Sequence, residues 1–308
     1  MRYLISTFNC LKRLIICAVF VSTSTGLAAA PLIDEIIVVK SSDNAYFNKS
    51  IATLIGHADK SLSFKVLMPD QLNADLTAPG HGRLFVSFGA AAANAVRQLD
   101  ADARLISAYL TFEQYQQLAI DDQLAILLDQ PLQRYLAFCK LLLGLDSVGI
   151  ILEGELGNDP PLARPASGYG LTLNQYRLDA ANKLLPVLRQ LLHENDALLM
   201  LPRQSVYNPD TLKAVLLTSY RNQKPAISYS PAHVRAGALA SIYSSPVDIG
   251  RHLAQVVNRR LEHPSAATAG FEYARFYSIA TNPSVAQALA INLLDEGKLR
   301  SSLDRVRP

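Results

Sequence analysis

The sequence predicts an α/β protein made of two doubly wound parallel-sheet lobes. Three observations carry this expectation. Short apolar runs alternate with stretches whose apolar residues recur at helical spacing, the pattern of repeated βα units. Pro, Gly, Asn, Asp and Ser punctuate the runs at the places where strands and helices change over. The alternation also comes in two sets, each the size of a small α/β domain. With 308 residues, half of them hydrophobic and only 18% charged, the chain has ample material for packed cores and not the composition of a disordered one.

The first set begins with an apolar run at 36–40. Ser41, Ser42, Asp43 and Asn44 follow it, a turn and N-cap cluster opening a helix over 45–57. A second strand is expected at 63–67, closed by Pro69, and a third at 84–88. Gly89, Ala90, Ala91 and Ala92 then lead into a helix through Leu99. Strands at 105–110 and 125–128 flank a helix capped by Thr111, and Asp129-Gln130-Pro131 marks the passage to the second set. There, a helix over 132–143 is stopped by Gly144 at the position where glycine is preferred. Strands follow at 148–152 and 171–176 around a Gly/Pro-rich loop at 154–170. Pro186 predicts a kink or a late start for a helix over 180–193.

The stretch 196–243 is the clearest βαβ unit. An apolar run at 197–201 is stopped by Pro202, and a polar loop, 203–207, leads to Asn208-Pro209, an N-cap with proline at the first helical position. Leu212, Val215, Leu216 and Tyr220 share one helical face, and Asn222 and Pro225 end the helix. Strands at 226–229 and 238–243 bracket Ser230-Pro231 and the small-residue turn at 235–237. Ser245-Pro246-Val247-Asp248 is a capping box that starts a helix to about Leu261. A last strand at 276–280, a short helix from Asn282-Pro283 and a polar tail beyond Glu296 complete the chain.

Several motifs in this region carry a family resemblance. They are Leu201-Pro202, the Asn208-Pro209-x-Thr211-Leu212 helix start, the run YSPAHVRAGALASIYSSP from Tyr229 to Pro246, and Ile249-Gly250 in the next helix. A second match is DQPLQRYLAFCKLLLGLDSVGIIL, from Asp129 to Leu152. Together they resemble the periplasmic substrate-binding components of a poorly characterised class of ABC transporters that includes importers of tryptophan and related small solutes. The resemblance implies a type I periplasmic-binding fold with crossing segments between its lobes. Lobe 1 is then expected at 30–129 plus 246–266, and lobe 2 at 130–245 plus 267–308. It also implies a small-molecule ligand, with an inner-membrane permease as partner; a sensor kinase is the partner under an alternative reading.

Residues 1–29 read as a cleavable secretory signal. Arg2, Lys12 and Arg13 precede the apolar stretch 14–21, and small residues at 26–30 offer a cleavage site after Ala28 or Ala29. A periplasmic location follows as the expectation. The formal charge of +3 resides in those first residues: without them, 26 basic residues balance 26 acidic ones. A neutral body with no basic run argues against nucleic acid as a partner. Cys139 is the one cysteine beyond the expected signal and lies on an apolar helical face, which points to a packed residue rather than a nucleophile.

No catalytic signature is present: there is no G-x-S-x-G, H-E-x-x-H, G-x-x-x-x-G-K-[ST] or C-x-x-C, and the six histidines are scattered. No enzyme activity, metal or cofactor is therefore expected. Gly80-His81-Gly82 precedes a strand and reads as a turn. The candidate ligand-binding residues are polar or small groups at the carboxyl ends of strands, where open α/β sheets bind ligands. They are Ser42, Asp43, Asn44, Ser87, Gly89, Ala90, Ala91 and Tyr109 in the first set, and Arg203, Gln204, Tyr207, Tyr229 and Ser230 in the second. Gly89 to Ala91 would offer helix N–H groups, Arg203 a carboxylate clamp, and Tyr207 or Tyr229 a stacking face. The expected protein is a monomeric solute-binding protein that closes on a small neutral or zwitterionic ligand. Two other readings stay open: a periplasmic sensor or adaptor serving a membrane kinase or an outer-membrane uptake system, and an enzyme on the same scaffold.

Overall fold

The computed structural model describes residues 33–77, 82–119, 123–153, 170–178, 183–263 and 269–305. The expected signal, most of the 154–170 loop and Gly80-His81 lie outside them. Among the described residues the apolar runs form two six-stranded sheets. The first half supplies β1 (Glu35–Lys40), α1 (Ala45–His57), β2 (Ser63–Leu67), β3 (Arg83–Phe88), α2 (Ala90–Leu99), β4 (Leu105–Leu110), α3 (Phe112–Leu118) and β5 (Leu124–Leu127). The second half supplies α4 (Leu132–Leu143), β6 (Ser147–Glu153), β7 (Thr172–Leu178), α5 (Leu184–Glu194), β8 (Ala197–Leu199), α6 (Pro209–Arg221), β9 (Ala226–Ser228), α7 (Pro231–Ala236) and β10 (Ala240–Tyr243). The remainder is α8 (Pro246–Glu262), β11 (Gly270–Tyr273), β12 (Ser278–Thr281), α9 (Pro283–Ala288) and α10 (Glu296–Leu303). The sheet orders are β11-β5-β4-β3-β1-β2 and β12-β10-β9-β8-β6-β7.

Continuous apolar runs suit these strands because both faces of each sheet are covered. Along β1, Ile36 and Val38 join a core with α1 and α8, while Ile37 and Val39 join the opposite core against α2. In the second sheet, Val148, Ile150 and Leu152 pack toward α4 and α10, and Ile151 toward α5 and α6. Cys139 is fully buried in the first of these layers, and burial pushes its thiol up to about 12. Native protein incubated with a thiol reagent at pH 8 should leave Cys139 unmodified, and urea should expose it to full labelling, as read by peptide mass spectrometry.

Three elements depart from the sequence expectation. Residues 270–273, assigned to lobe 2 by the resemblance, form β11 and extend the first sheet parallel to β5. Phe271 fixes that position, its ring edge-on to Phe112 and Tyr115 at 5.4 Å from each. The last strand, β12, runs antiparallel to β10, so the second sheet closes on a reversed edge. The stretch leading into the turn expected at 235–237 is the short helix α7, which Ser230 caps by accepting from the Ala232 N–H. The late start of α5 at Leu184 agrees with the reading of Pro186.

The chain passes between the sheets at 128–131, 244–245 and 274–277, and the three passages are bonded to one another. Gln130 Nε2 donates to Ser244 Oγ at 2.9 Å, and Ser244 Oγ donates to the Phe276 carbonyl at 2.7 Å. Arg134, buried at the base of α4, donates to the Ala274 carbonyl at 3.0 Å and lies over the Tyr277 ring.

Candidate functional site

The carboxyl ends of both sheets border one cleft of about 310 Å³. The first half contributes Tyr46 at the start of α1, Tyr109 near the end of β4, Thr111 before α3 and Leu128 after β5. The second contributes Pro202 and Gln204 from the loop after β8, Tyr229 and Ser230 after β9, and Pro231 and Ala232 at the start of α7. Tyr243, Ser244 and Pro246 line it from the passage between β10 and α8.

Tyr109 is held there by a distorted backbone and a hydrogen-bond relay. Its φ of 60° is left-handed, which non-glycine residues rarely adopt, and the β4–β5 register shifts between Ala108 and Leu110. This irregularity re-aims the ring out of the strand's alternation. Ser50 Oγ donates to the Pro246 carbonyl at 2.6 Å, so the Tyr109 hydroxyl must donate to Ser50 Oγ at 2.7 Å, since a serine has one proton. Phe47 packs edge-on against the Tyr109 ring, 4.9 Å between centroids. Tyr229 is seated from the other side by His233, edge-on at 4.8 Å, and His233 Nδ1 is bonded to the buried Ser228 Oγ at 2.7 Å. Burial depresses the His233 imidazole, which favours its neutral form. Burial also pushes the Tyr109 and Tyr229 hydroxyls up to about 12, leaving both as neutral groups at physiological pH.

Four of the expected ligand residues, Tyr109, Gln204, Tyr229 and Ser230, lie together on this cleft. The others have different surroundings. Asp43 is exposed and bonded to Lys40 and Asn48, which hold its carboxyl below the usual range; Ser42 accepts from Asn44 Nδ2, and Asn44 caps α1 through the Phe47 N–H. Ser87 is buried and donates to Ser107 Oγ at 2.9 Å. Gly89 adopts φ 87°, and a Cβ there would come 2.9 Å from Ser41 Oγ, which already accepts from the Ala92 N–H. The α2 start is thus capped by Ser41, with Ala90 half-buried and Ala91 exposed beside it. Tyr207 is buried in the second-half core.

Arg203 turns away from the cleft. Its guanidinium lies 3.9 Å from Glu113 on α3 and is attracted to Asp129, so the pairing spans the two halves. Asp129 is buried, and its Oδ2 accepts from the Phe112 N–H at the start of α3. Burial raises its carboxyl to about 6 despite that bond and Arg203. Strand-end position alone did not mark Tyr46, Tyr243, Thr111 or Asp129 as site residues. Tyr46 sits one helical position inside α1, and Tyr243 precedes a sheet-to-sheet passage that periodicity does not reveal.

Solved structures share this architecture. An ABC domain from Streptococcus pneumonia, determined in complex with L-Trp, matches at 16% identity with a TM-score of 0.54, covering 87% of this chain and 98% of that one. A ligand-free, open substrate-binding protein with adhesive properties from Clostridium difficile matches at 12% identity and a TM-score of 0.65, covering 86% and 97%. The fold is that of type I periplasmic-binding proteins. A conserved domain protein from Vibrio cholerae shares it at 15% identity and a TM-score of 0.53, over 87% of this chain and 98% of its own. No family model matches the chain, and no curated protein does. Two sheets joined by three passages with a cleft between their strand ends are what the type I periplasmic-binding fold provides, and here the cleft is walled by tyrosines. Among the described residues no helix is long and apolar enough to cross a membrane, and no His/Cys/Asp/Glu group is arranged to hold a metal.

Proposed function

We propose that this chain is a periplasmic solute-binding protein of an ABC-type uptake system. A small molecule binds between the lobes, the lobes close on it, and the closed form docks on an inner-membrane permease. The observation that carries this reading is the cleft of about 310 Å³ lined from both sheets and from the passage between them, so that one ligand touches both halves at once. That volume falls within the range of roughly 300–1,000 Å³ typical of small-molecule sites. The solved relative that holds L-Trp supports a small organic ligand as the kind of cargo. The bonded passages, Gln130–Ser244–Phe276, supply a hinge of three strands close enough to bend together. A ligand moves such an equilibrium only as far as it binds the closed form better than the open one.

Tyr229→Ala removes a ring from the second-lobe wall and should weaken binding by about 2 kcal/mol, roughly 30-fold in Kd, whereas Tyr229→Phe retains the stacking face. A thermal-shift screen of amino acids, nucleosides, sugars and vitamins against the wild-type protein, followed by calorimetry of the hits on both variants, tests this. A hit bound equally by wild type and Tyr229→Ala would place its site outside the cleft.

A further inference from the structure

The cleft is also selective in kind. We propose that it takes an uncharged flat ring compound bearing carbonyl, amide or hydroxyl groups, such as a nucleoside or a carboxamide heterocycle, in preference to zwitterions, carboxylates and phosphates. This inference rests on the cleft being the ligand site and names the class of ligand.

The first ground is composition. Tyr46, Tyr109, Tyr229 and Tyr243 come from four separate elements onto one cavity, and among the described residues that line it none is Asp, Glu, Lys, Arg or His. Tyrosine faces stack on flat rings, and base–aromatic stacking contributes roughly 1–3 kcal/mol per ring without need of charge. The exposed Gln204 amide supplies a donor and an acceptor for a ring carbonyl or amide.

The second ground is that the nearby charged side chains are paired and the helix starts are capped by side chains of their own. Arg203 pairs with Glu113 at 3.9 Å, and its side chain is only 12% exposed. Lys40 is bonded to Asp43 at 2.7 Å. Four helix starts border the cleft, where an anion would ordinarily find free N–H donors, and at the first of them, α1, the Phe47 N–H is taken by Asn44 Oδ1. At α7, Pro231 has no N–H, and the Ala232 and His233 N–H groups donate to Ser230 Oγ and the Ser230 carbonyl. At α8, Pro246 again has none, and Asp248 N–H donates to Ser245 Oγ, while Asp248 Oδ2 places a carboxylate on that same helix end. At α3, the Phe112 N–H is taken by Asp129 and the Gln114 N–H by Thr111 Oγ1. A carboxylate or phosphate entering this cleft would lose much of its hydration without gaining a cationic partner among the residues that line it, and a buried charge without one is strongly disfavoured.

The test is a calorimetric comparison of matched pairs that differ in charge. Nicotinamide is set against nicotinate, adenosine against adenosine 5′-monophosphate, and L-tyrosine serves as the zwitterionic probe, each titrated into wild type and Tyr229→Ala. The expected result is binding of at least one uncharged probe, with its charged counterpart at least about 100-fold weaker, L-tyrosine silent, and affinity lost in Tyr229→Ala. Binding of nicotinate, the monophosphate or L-tyrosine as tightly as the uncharged probes overturns the class, as does silence of both uncharged probes. If a charged probe binds and Tyr229→Ala abolishes it, the class is wrong and the cleft stands. If any binding is indifferent to Tyr229→Ala, the cleft reading itself falls.

Discussion

Gly250→Val should lower stability by roughly 3 kcal/mol or more. Gly250 sits in α8 where that helix crosses α1, and a Cβ placed on it would come 2.5 Å from the Ser50 carbonyl oxygen and 2.6 Å from Thr53 Cβ. The first of these is backbone, which cannot rotate aside, so the helices must separate. Overpacking in a relaxed site costs about 1–3 kcal/mol, and a clash with the backbone lies at or beyond the top of that range. For a protein of this size each kcal/mol shifts the melting point by about 2–4 °C, so thermal denaturation should fall by about 10 °C. The damage should also reach the cleft, because Ser50 is the relay between Tyr109 and the Pro246 carbonyl. Gly56→Ala is the control. Gly56 lies in α1 with nothing within 4 Å of where a Cβ would stand, and the substitution should be neutral or stabilise by about 0.4–1 kcal/mol.

Asp129→Asn should stabilise the protein at pH 8 and leave it nearly unchanged at pH 4. The folded carboxyl titrates at about 6, above the value of about 3.9 for an unfolded aspartate, chiefly because it is buried. The folded state therefore holds the proton more tightly than the unfolded one. The stability this provides is fully present below about pH 4 and is lost as pH rises through 6. Two pH units correspond to about 3 kcal/mol, so a gain of about 1–3 kcal/mol is expected for the amide at pH 8. The Asn oxygen can still accept from the Phe112 N–H. Urea denaturation of both proteins at the two pH values measures the difference. A loss at pH 8 would mean that the Asp129–Arg203 attraction outweighs the burial of the charge, and that the pair is a cross-lobe tie.

Much of the fold could be read from the chain because its signals are local. The caps at Asn44, Thr111, Asn208 and Ser245 start helices where the sequence places them, each accepting the expected N–H. Gly144 ends α4 in the left-handed conformation. What stayed hidden depends on partners distant in sequence. The strand β11 has only four residues, all half-buried, and its place is set by the ladder to β5 and by the Phe112–Tyr115 pair. The reversed direction of β12 is set by its antiparallel ladder to β10, a pairing between segments far apart in the chain.

The placement of residues around the candidate cleft was legible in part. Strand-end logic led to Tyr109, Gln204, Tyr229 and Ser230, because carboxyl ends converge in any such sheet. The same logic led to Ser87, which the pleat turns inward to Ser107, and to Arg203, which lies against Glu113. Neither orientation follows from position along a strand. Tyr109 faces the cleft only because of its left-handed backbone and the adjoining register shift, which no residue-type signal announces.

Closure of the two lobes over a ligand in this cleft can be measured as a distance. Spin labels at the exposed Gln117 on α3 and Lys213 on α6 would report it by pulsed dipolar spectroscopy, without and with a saturating cleft ligand found in the thermal-shift screen. The expected result is a shift of the distance distribution to shorter values on binding, abolished in Tyr229→Ala. Binding confirmed by calorimetry with an unchanged distribution would contradict closure as the response to ligand.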